Sequence, residues 1–251
     1  MQIDSAADTD TGRVREKNED SHLVIDELGL YVVADGMGGH VGGKMASSLA
    51  VKTVGEHITE HHPTIVDGAG VMPLASSPVP RLLADSVRAA CAAVYDAAQA
   101  DGELQGMGTT VTAMLLLSQR AFLAHVGDSR CYLQRKDRVI QVTDDHSLVN
   151  EQIKAGLITP EQARASRLKN IITRSVGFEK DVAVDTFALP VQNGDKFLLC
   201  SDGLANFVDD TEIGTAMSEV ALEEVPRVMI ELANERGGDD NITVVCMKVA
   251  G

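Results

Sequence analysis

Leu30-Tyr31-Val32-Val33-Ala34-Asp35-Gly36-Met37-Gly38-Gly39-His40 is the most informative stretch of this chain. Five apolar residues form a strand-length run, which ends on a carboxylate and breaks into glycine. Leu23-Val24-Ile25 precedes it across acidic residues and Gly29, so the two runs predict a hairpin. Beyond the glycines, Met45 to His62 places Leu49, Val51, Val54 and Ile58 at helical spacing. Pro63, Pro73, Pro78 and Pro80 then predict a surface loop over 63–80. It reads as an insertion and not as a domain boundary. Arg81 to Glu103 is rich in Ala, Leu and Val and predicts a second long helix.

Working outward, Thr109 to Leu117, Ala121 to Val126, Cys131 to Gln134 and Val139 to Val142 read as strands. Short polar turns join them, which favours antiparallel pairing. Residues 145–179 are polar, with a helix start at Thr159-Pro160-Glu161. Strands resume at Val182 to Leu189 and Lys196 to Cys200. A helix over about Glu223 to Arg236 leads to a last strand, Asn241 to Val249. Grouped strands and grouped helices predict an α+β fold with antiparallel sheets.

Three more carboxylates repeat the setting of Asp35. Asp128 follows Ala124-His125-Val126-Gly127, and Asp202 ends Phe197-Leu198-Leu199-Cys200-Ser201 before Gly203. Asp240 lies in Gly237-Gly238-Asp239-Asp240-Asn241, just before the last strand. Any one Asp-Gly pair is an ordinary turn. Four carboxylates at strand ends would repel one another unless a cation joined them. A hard divalent ion suits this set, because Mg²⁺ and Mn²⁺ take oxygen ligands. Arg15, in Arg15-Glu16-Lys17-Asn18-Glu19-Asp20, is suited to grip a phosphate by two parallel hydrogen bonds.

Composition removes other classes. The 251 residues suit a single domain. Asp plus Glu number 37 against 22 Lys plus Arg, a formal net charge of −15. Such a chain lacks the basic surface that nucleic acid or an anionic membrane requires. With no Trp and 3% aromatic residues, stacking on single-stranded bases is a poor fit as well. No apolar run is long enough to span a bilayer, and Met1-Gln2-Ile3-Asp4 does not open a signal peptide. Cys91, Cys131, Cys200 and Cys246 form no CxxC pair and read as reduced core residues, which points to the cytosol.

The ordered motifs resemble the metal-dependent Ser/Thr protein phosphatases of type 2C, the PPM family, in their compact bacterial form. The matching segments begin with Gly12 to Ser21, Val33 to His40 and Gly106-Met107-Gly108-Thr109-Thr110. They continue with His125 to Arg130, Asp145 to Val149, Asn170 to Arg174, Leu199 to Leu204 and Gly238 to Thr243. The resemblance covers nearly the whole chain. It implies two antiparallel β-sheets packed as a sandwich, with helices on both outer faces. It implies one catalytic domain over 1–251, with 145–179 as a flap subdomain.

The resemblance also implies roles. Asp35 bridges two Mn²⁺ or Mg²⁺ ions, the Gly36 carbonyl ligates one of them, and Glu19 holds it through water. Asp20, in the same acidic segment, is counted with the metal candidates. Asp202 and Asp240 ligate the other ion, and Asp128 joins Asp202 at a possible third. Arg15 holds the substrate phosphate. The ion pair activates a bridging water for in-line attack on phosphoserine or phosphothreonine, without a phosphoenzyme. No cysteine heads a Cys-x5-Arg loop, which argues against cysteine-dependent phosphatases.

The chain departs from the animal members at Met37, where they carry the His proposed to protonate the leaving alkoxide. His40 is a candidate substitute, and a metal-bound water is its rival. His146 is a weaker candidate, and His125 reads as a core histidine. The expected partners are phosphorylated proteins, among them a cognate Ser/Thr kinase and its targets, with a monomer as the default state. The acidic surface either selects basic-flanked substrates or only confers solubility. Competing readings are a metal-dependent phosphodiesterase and an inactive phosphoprotein-binding module.

Overall fold

The computed structural model describes residues 1–38, 42–69 and 73–250. The elements run β1 (Gln2–Asp10), β2 (Ser21–Ile25), β3 (Leu30–Ala34) and β4 (Gly36–Met37). Helices α1 (Gly42–Ala69) and α2 (Val79–Ala100) follow. Next come β5 (Gly108–Thr109), β6 (Val111–Leu117), β7 (Arg120–Val126), β8 (Arg130–Arg135) and β9 (Arg138–Gln141). After α3 (Leu148–Lys154) and α4 (Pro160–Arg164), the chain forms β10 (Asp185–Pro190) and β11 (Lys196–Cys200). It ends with α5 (Asp202–Ala205), α6 (Asp210–Glu219), α7 (Val225–Glu235) and β12 (Ile242–Ala250).

Two five-stranded sheets carry the fold. Their orders are β1-β12-β11-β8-β9 and β10-β7-β6-β3-β2, with every pair antiparallel. The central strands lack the polar–apolar alternation of a half-exposed sheet because both of their faces are covered. In β3, Tyr31 and Val33 point into the layer between the sheets, where Phe197 and Met247 also lie. Leu30, Val32 and Ala34 point the other way, onto α1 and α2. The second sheet packs its outer face on α6 and α7 through Leu198, Val244 and Cys246. The α-β-β-α sandwich expected from the resemblance is therefore the observed architecture. All four cysteines are free and buried, as read from their contexts.

The layer between the sheets yields a stability prediction. Phe197 is fully buried there, so Phe197→Ala should cost about 3–5 kcal/mol in urea unfolding. A loss below about 1 kcal/mol would mean that the two sheets do not pack tightly at this point.

Three details differ from the sequence reading. First, α1 continues to Ala69 through Pro63, so the 63–80 loop begins later than expected. A proline keeps a helical φ and forgoes one backbone bond, a loss that a helix of 28 residues sustains. Within the remaining gap, Leu74–Ser76 forms a 3₁₀ turn. Second, the polar segment Gln2–Asp10 gives no strand signal, yet it pairs along its whole length with β12 as an edge strand. Third, α6 was not anticipated. Its start is marked by a capping box, in which the Asp209 carboxylate accepts from the Glu212 N–H and Glu212 reaches back.

Candidate active site

Topology gathers the strand-end carboxylates at one end of the sandwich. β3 and β7 each run antiparallel to β6, so Asp35 after β3 and Asp128 after β7 leave the sheet at the same end. β2 runs against β3, which brings Glu19 and Asp20, just before it, to that end too. In the other sheet, β11 ends at Asp202's side where β12 and β8 begin. β1 finishes there as well, and delivers the segment that bears Arg15.

Buried hydroxyls and amides hold this end in place. Thr110 Oγ1 accepts from the Asp35 N–H at 2.9 Å, and Thr109 Oγ1 donates to the Asp35 carbonyl at 2.8 Å. Thr110 shares a further hydrogen bond with Ser129 Oγ at 2.7 Å. Asn241 accepts from the Glu19 N–H and donates to the carbonyls of Thr11 and Lys17, which closes the Arg15–Glu19 loop onto β12. From α1, Ser47 Oγ donates to the Glu19 carbonyl and Lys44 Nζ to the Asp20 carbonyl. A side chain at Gly36 would collide with the Gly43 carbonyl and stand 2.6 Å from that of Glu19, so only glycine lets these three backbones meet.

The carboxylates line an open cleft of about 740 Å³. Asp35 and Asp202 line it together with Glu19, Asp128 and Asp240. Burial pushes the Asp35 carboxyl well above its ordinary range, and the charges of Asp20, Asp202, Asp128 and Asp240 add to the effect. Burial raises Asp128 and Asp202 likewise, each with help from a neighbouring carboxylate. Asp20 is pushed up to about 7 by burial, against the hydroxyls of Ser201 and Thr243, which donate to its Oδ2 at 2.7 Å.

Three buried oxygens here lack any hydrogen-bond partner: Asp20 Oδ1, Asp128 Oδ1 and Asp202 Oδ1. Orphaned anionic oxygens in low dielectric call for a cation. Among the described residues no three His, Cys, Asp or Glu side chains close around one point as a finished cage would. Asp35, Asp128, Asp202 and Asp240 instead line one shared open cleft, with Asp20 buried behind it, which suits hard ions that keep part of their hydration.

Arg15 stands at the rim. Its Nη2 donates to Asp240 Oδ2 at 2.7 Å, and its side chain is 52% exposed. A guanidinium carries further N–H donors with capacity to bind an anion. Met37 lines the same cleft, and Phe178, strongly exposed, forms part of its rim. His40 lies outside the described residues.

His125 is the core histidine that its apolar strand suggested. Its Nδ1 shares a hydrogen bond with Thr112 Oγ1 and its Nε2 with the Asp144 carbonyl. Burial lowers it to about 4. The unfolded chain therefore takes up this proton first on acidification, from about pH 6.5 downward. Stability should fall as pH drops from about 6.5 towards 4, by roughly 3 kcal/mol from this group. Urea unfolding across that range should show a shallower slope in His125→Asn. An unchanged slope would remove His125 as a cause.

The residues that sequence reasoning left without a role are Thr109, Thr110, Ser129, Ser201, Asn241 and Thr243. All six sit inside quoted motifs as small polar residues at or near strand ends, and that placement was the available signal.

An open acidic cleft with Arg15 at its rim has the make-up of a hydrolase site for anionic esters. The comparisons with known proteins make this specific. Residues 12–241 match the family model described as protein phosphatase 2C. The serine/threonine phosphatase Stp of Listeria innocua is 38% identical over 244 residues, covering 96% of this chain and 93% of the relative. The protein phosphatase PhpP of Streptococcus pneumoniae is 36% identical over 246 residues, covering 96% and 95%. The serine/threonine phosphatase PstP/Ppp of Mycobacterium tuberculosis superposes with a TM-score of 0.88 at 34% identity, covering 99% of each chain. A structure of the PstP catalytic domain in complex with two manganese ions superposes at 0.85 with 36% identity, again over 99% of each.

The chain belongs to the protein phosphatase 2C family. It is a serine/threonine phosphatase of that family, acting on phosphorylated proteins. The readings as a phosphodiesterase or an inactive phosphoprotein-binding module fall away. No described helix is long and apolar enough to cross a membrane.

Proposed function

We propose that this phosphatase depends on a pair of divalent cations, Mn²⁺ or Mg²⁺, and hydrolyses phosphoserine and phosphothreonine in line. The observation that carries this reading is the gathering of Asp35, Asp128, Asp202 and Asp240 on one cleft, amid orphaned oxygens of Asp20, Asp128 and Asp202. Asp35, the Gly36 carbonyl, Asp202 and Asp240 would hold the pair, with Glu19 acting through water and Asp20 behind them. Asp128 with Asp202 would hold a third ion. When bound, such a pair would offset the carboxylate charge, polarise the phosphate and lower the pKa of a bound water.

The chain's own residues supply the rest. Arg15 binds the phosphate oxygens and orients the ester, sharing its guanidinium between Asp240 and substrate. The Thr109–Thr110 pair keeps Asp35 from retreating as charge changes in the cleft. His40 is the candidate for protonating the leaving alkoxide. One catalytic domain spans 1–251 and the flap covers 145–179. The setting is the cytoplasm, the enzyme acts as a monomer, and it reverses a cognate Ser/Thr kinase and its targets.

The test is phosphate release from a phosphothreonine peptide after EDTA, and again with Mn²⁺ or Mg²⁺ restored, in wild type, Asp35→Ala and Asp202→Ala. Turnover that returns with metal in wild type alone is the expected result. Turnover that never required metal would overturn the proposal.

A further inference from the structure

Asp128 sits on the wall between two spaces. It lines the carboxylate cleft and also an adjoining cavity of about 530 Å³ formed with residues of the 145–179 segment. Gly127 has φ +111°, and on one side a side chain there would stand 2.5 Å from the Thr110 methyl carbon. Thr110 and Thr112 hold Ser129 through its hydroxyl and carbonyl, and His146 grips the Gly127 backbone.

The grip has two points. The His146 backbone N–H donates to the Gly127 carbonyl at 2.8 Å, and the Gly127 N–H donates to His146 Nδ1 at 3.0 Å. Because Nδ1 accepts, it carries no proton, and the ring's proton resides on Nε2. Nε2 lies 3.1 Å from Asp185 Oδ2 and 3.1 Å from Arg174 Nη1. A protonated Nε2 cannot accept from Arg174, so it donates to Asp185. Arg174 in turn donates to Asp185 Oδ1 at 2.7 Å and to the Ala183 carbonyl at 3.2 Å. The backbone closes the same circle, for the Thr173 N–H donates to the His146 carbonyl at 2.8 Å, and Ser147 bridges Ile172. His125 lies against the His146 ring, with centroids 4.8 Å apart, and limits its rotation.

We infer that His146 is a positioning residue that sets Asp128 through the Gly127 N–H and ties it, through Nε2 and the Asp185–Arg174 pair, to both ends of the 145–179 segment. The two ring nitrogens do different jobs. Nδ1 fixes the carboxylate's loop, and Nε2 fixes the segment that floors the adjoining cavity. A movement of that segment is thereby felt at Asp128, across a chain of hydrogen bonds with one residue at its centre. This rests on the assignment of Asp128 to a cation site made above.

Two near-isosteric substitutions separate the jobs. In His146→Asn, Oδ1 takes the place of Nδ1 and still accepts from Gly127, but nothing reaches Asp185. In His146→Gln, the amide takes the place of Nε2 and reaches Asp185, but leaves the Gly127 N–H unpaired. Amide hydrogen exchange of the metal-free protein and Mn²⁺ titration by calorimetry read the two jobs directly. His146→Gln should speed exchange at Gly127 and Asp128 and weaken the weakest Mn²⁺ step by about 10- to 100-fold. His146→Asn should keep both near wild type and instead speed exchange across 168–174. If Asn and Gln behave alike in both measurements, His146 only fills space and the inference fails. Asp128→Asn is the control for the assignment beneath it. If Asp128→Asn leaves every Mn²⁺ step intact, that assignment fails, while the exchange pattern still decides whether His146 holds the loop.

Discussion

Asp35→Asn is expected to lose at least about 10²–10³-fold in kcat/KM while making the metal-free protein more stable. The two effects have one cause. Burial pushes the Asp35 carboxyl upward, and the charges of Asp20, Asp202, Asp128 and Asp240 push it further. Without a cation this cluster costs the fold, through burial and mutual repulsion. Removing one charge relieves that cost, by roughly 1–4 kcal/mol at the effective dielectric of such sites. The amide keeps the shape and forfeits the anionic bridge. Phosphatase assays and urea unfolding in EDTA check the pair together. A variant that loses activity and also loses stability would mean that Asp35 holds the fold, and that its charge is not reserved for a ligand.

The converse effect is the second large one. Saturating Mn²⁺ should raise the melting temperature of wild type strongly. A ligand at 100 times its Kd contributes about 2.7 kcal/mol per site if it binds only the folded chain. For a domain of this size each kcal/mol moves the midpoint by about 2–4 °C, so one site yields about 5–10 °C. Asp35→Asn and Asp202→Asn should lose most of that shift. A differential-scanning comparison with and without Mn²⁺ reads it. Equal shifts in all three proteins would place the metal elsewhere on this acidic surface.

Much of this site was legible because the chain marks it twice. Three apolar runs that become central strands, β3, β7 and β11, stop within two residues of a carboxylate, and a strand buried on both faces does not readily continue past a charge. Asp35, Asp128 and Asp202 were therefore readable as strand ends, and antiparallel pairing brings those ends together. The supports were not readable. Asn241 holds Glu19 across a separation of 222 residues, and Ser201 meets Asp20 across 181. Small polar residues look alike in sequence whether they face solvent or a buried carboxylate. The motif Gly108-Thr109-Thr110 was noticed, but its task of holding the Asp35 backbone needs the β4–β5 pairing to be seen.

The misread elements have local causes. Gln2–Asp10 is an edge strand whose polar residues stay partly wet, so no alternation announces it. Pro63 is the strongest local breaker in its segment, but α1 was already long enough to continue through it. His146 is the most instructive case. As a histidine beside an acidic site it reads as a candidate acid. Its two nitrogens are both committed, one to a backbone N–H and one to a carboxylate, which leaves no lone pair or proton for substrate.

We propose that catalysis runs on cations gathered by the strand-end carboxylates. The most direct test counts metal and turnover in the same sample. Metal-stripped wild type is titrated with Mn²⁺ while bound ion per chain and phosphate release from a phosphothreonine peptide are followed together. The expected result is no release from the stripped protein, with release appearing as the second ion binds. Full turnover in protein that holds no metal would contradict the account.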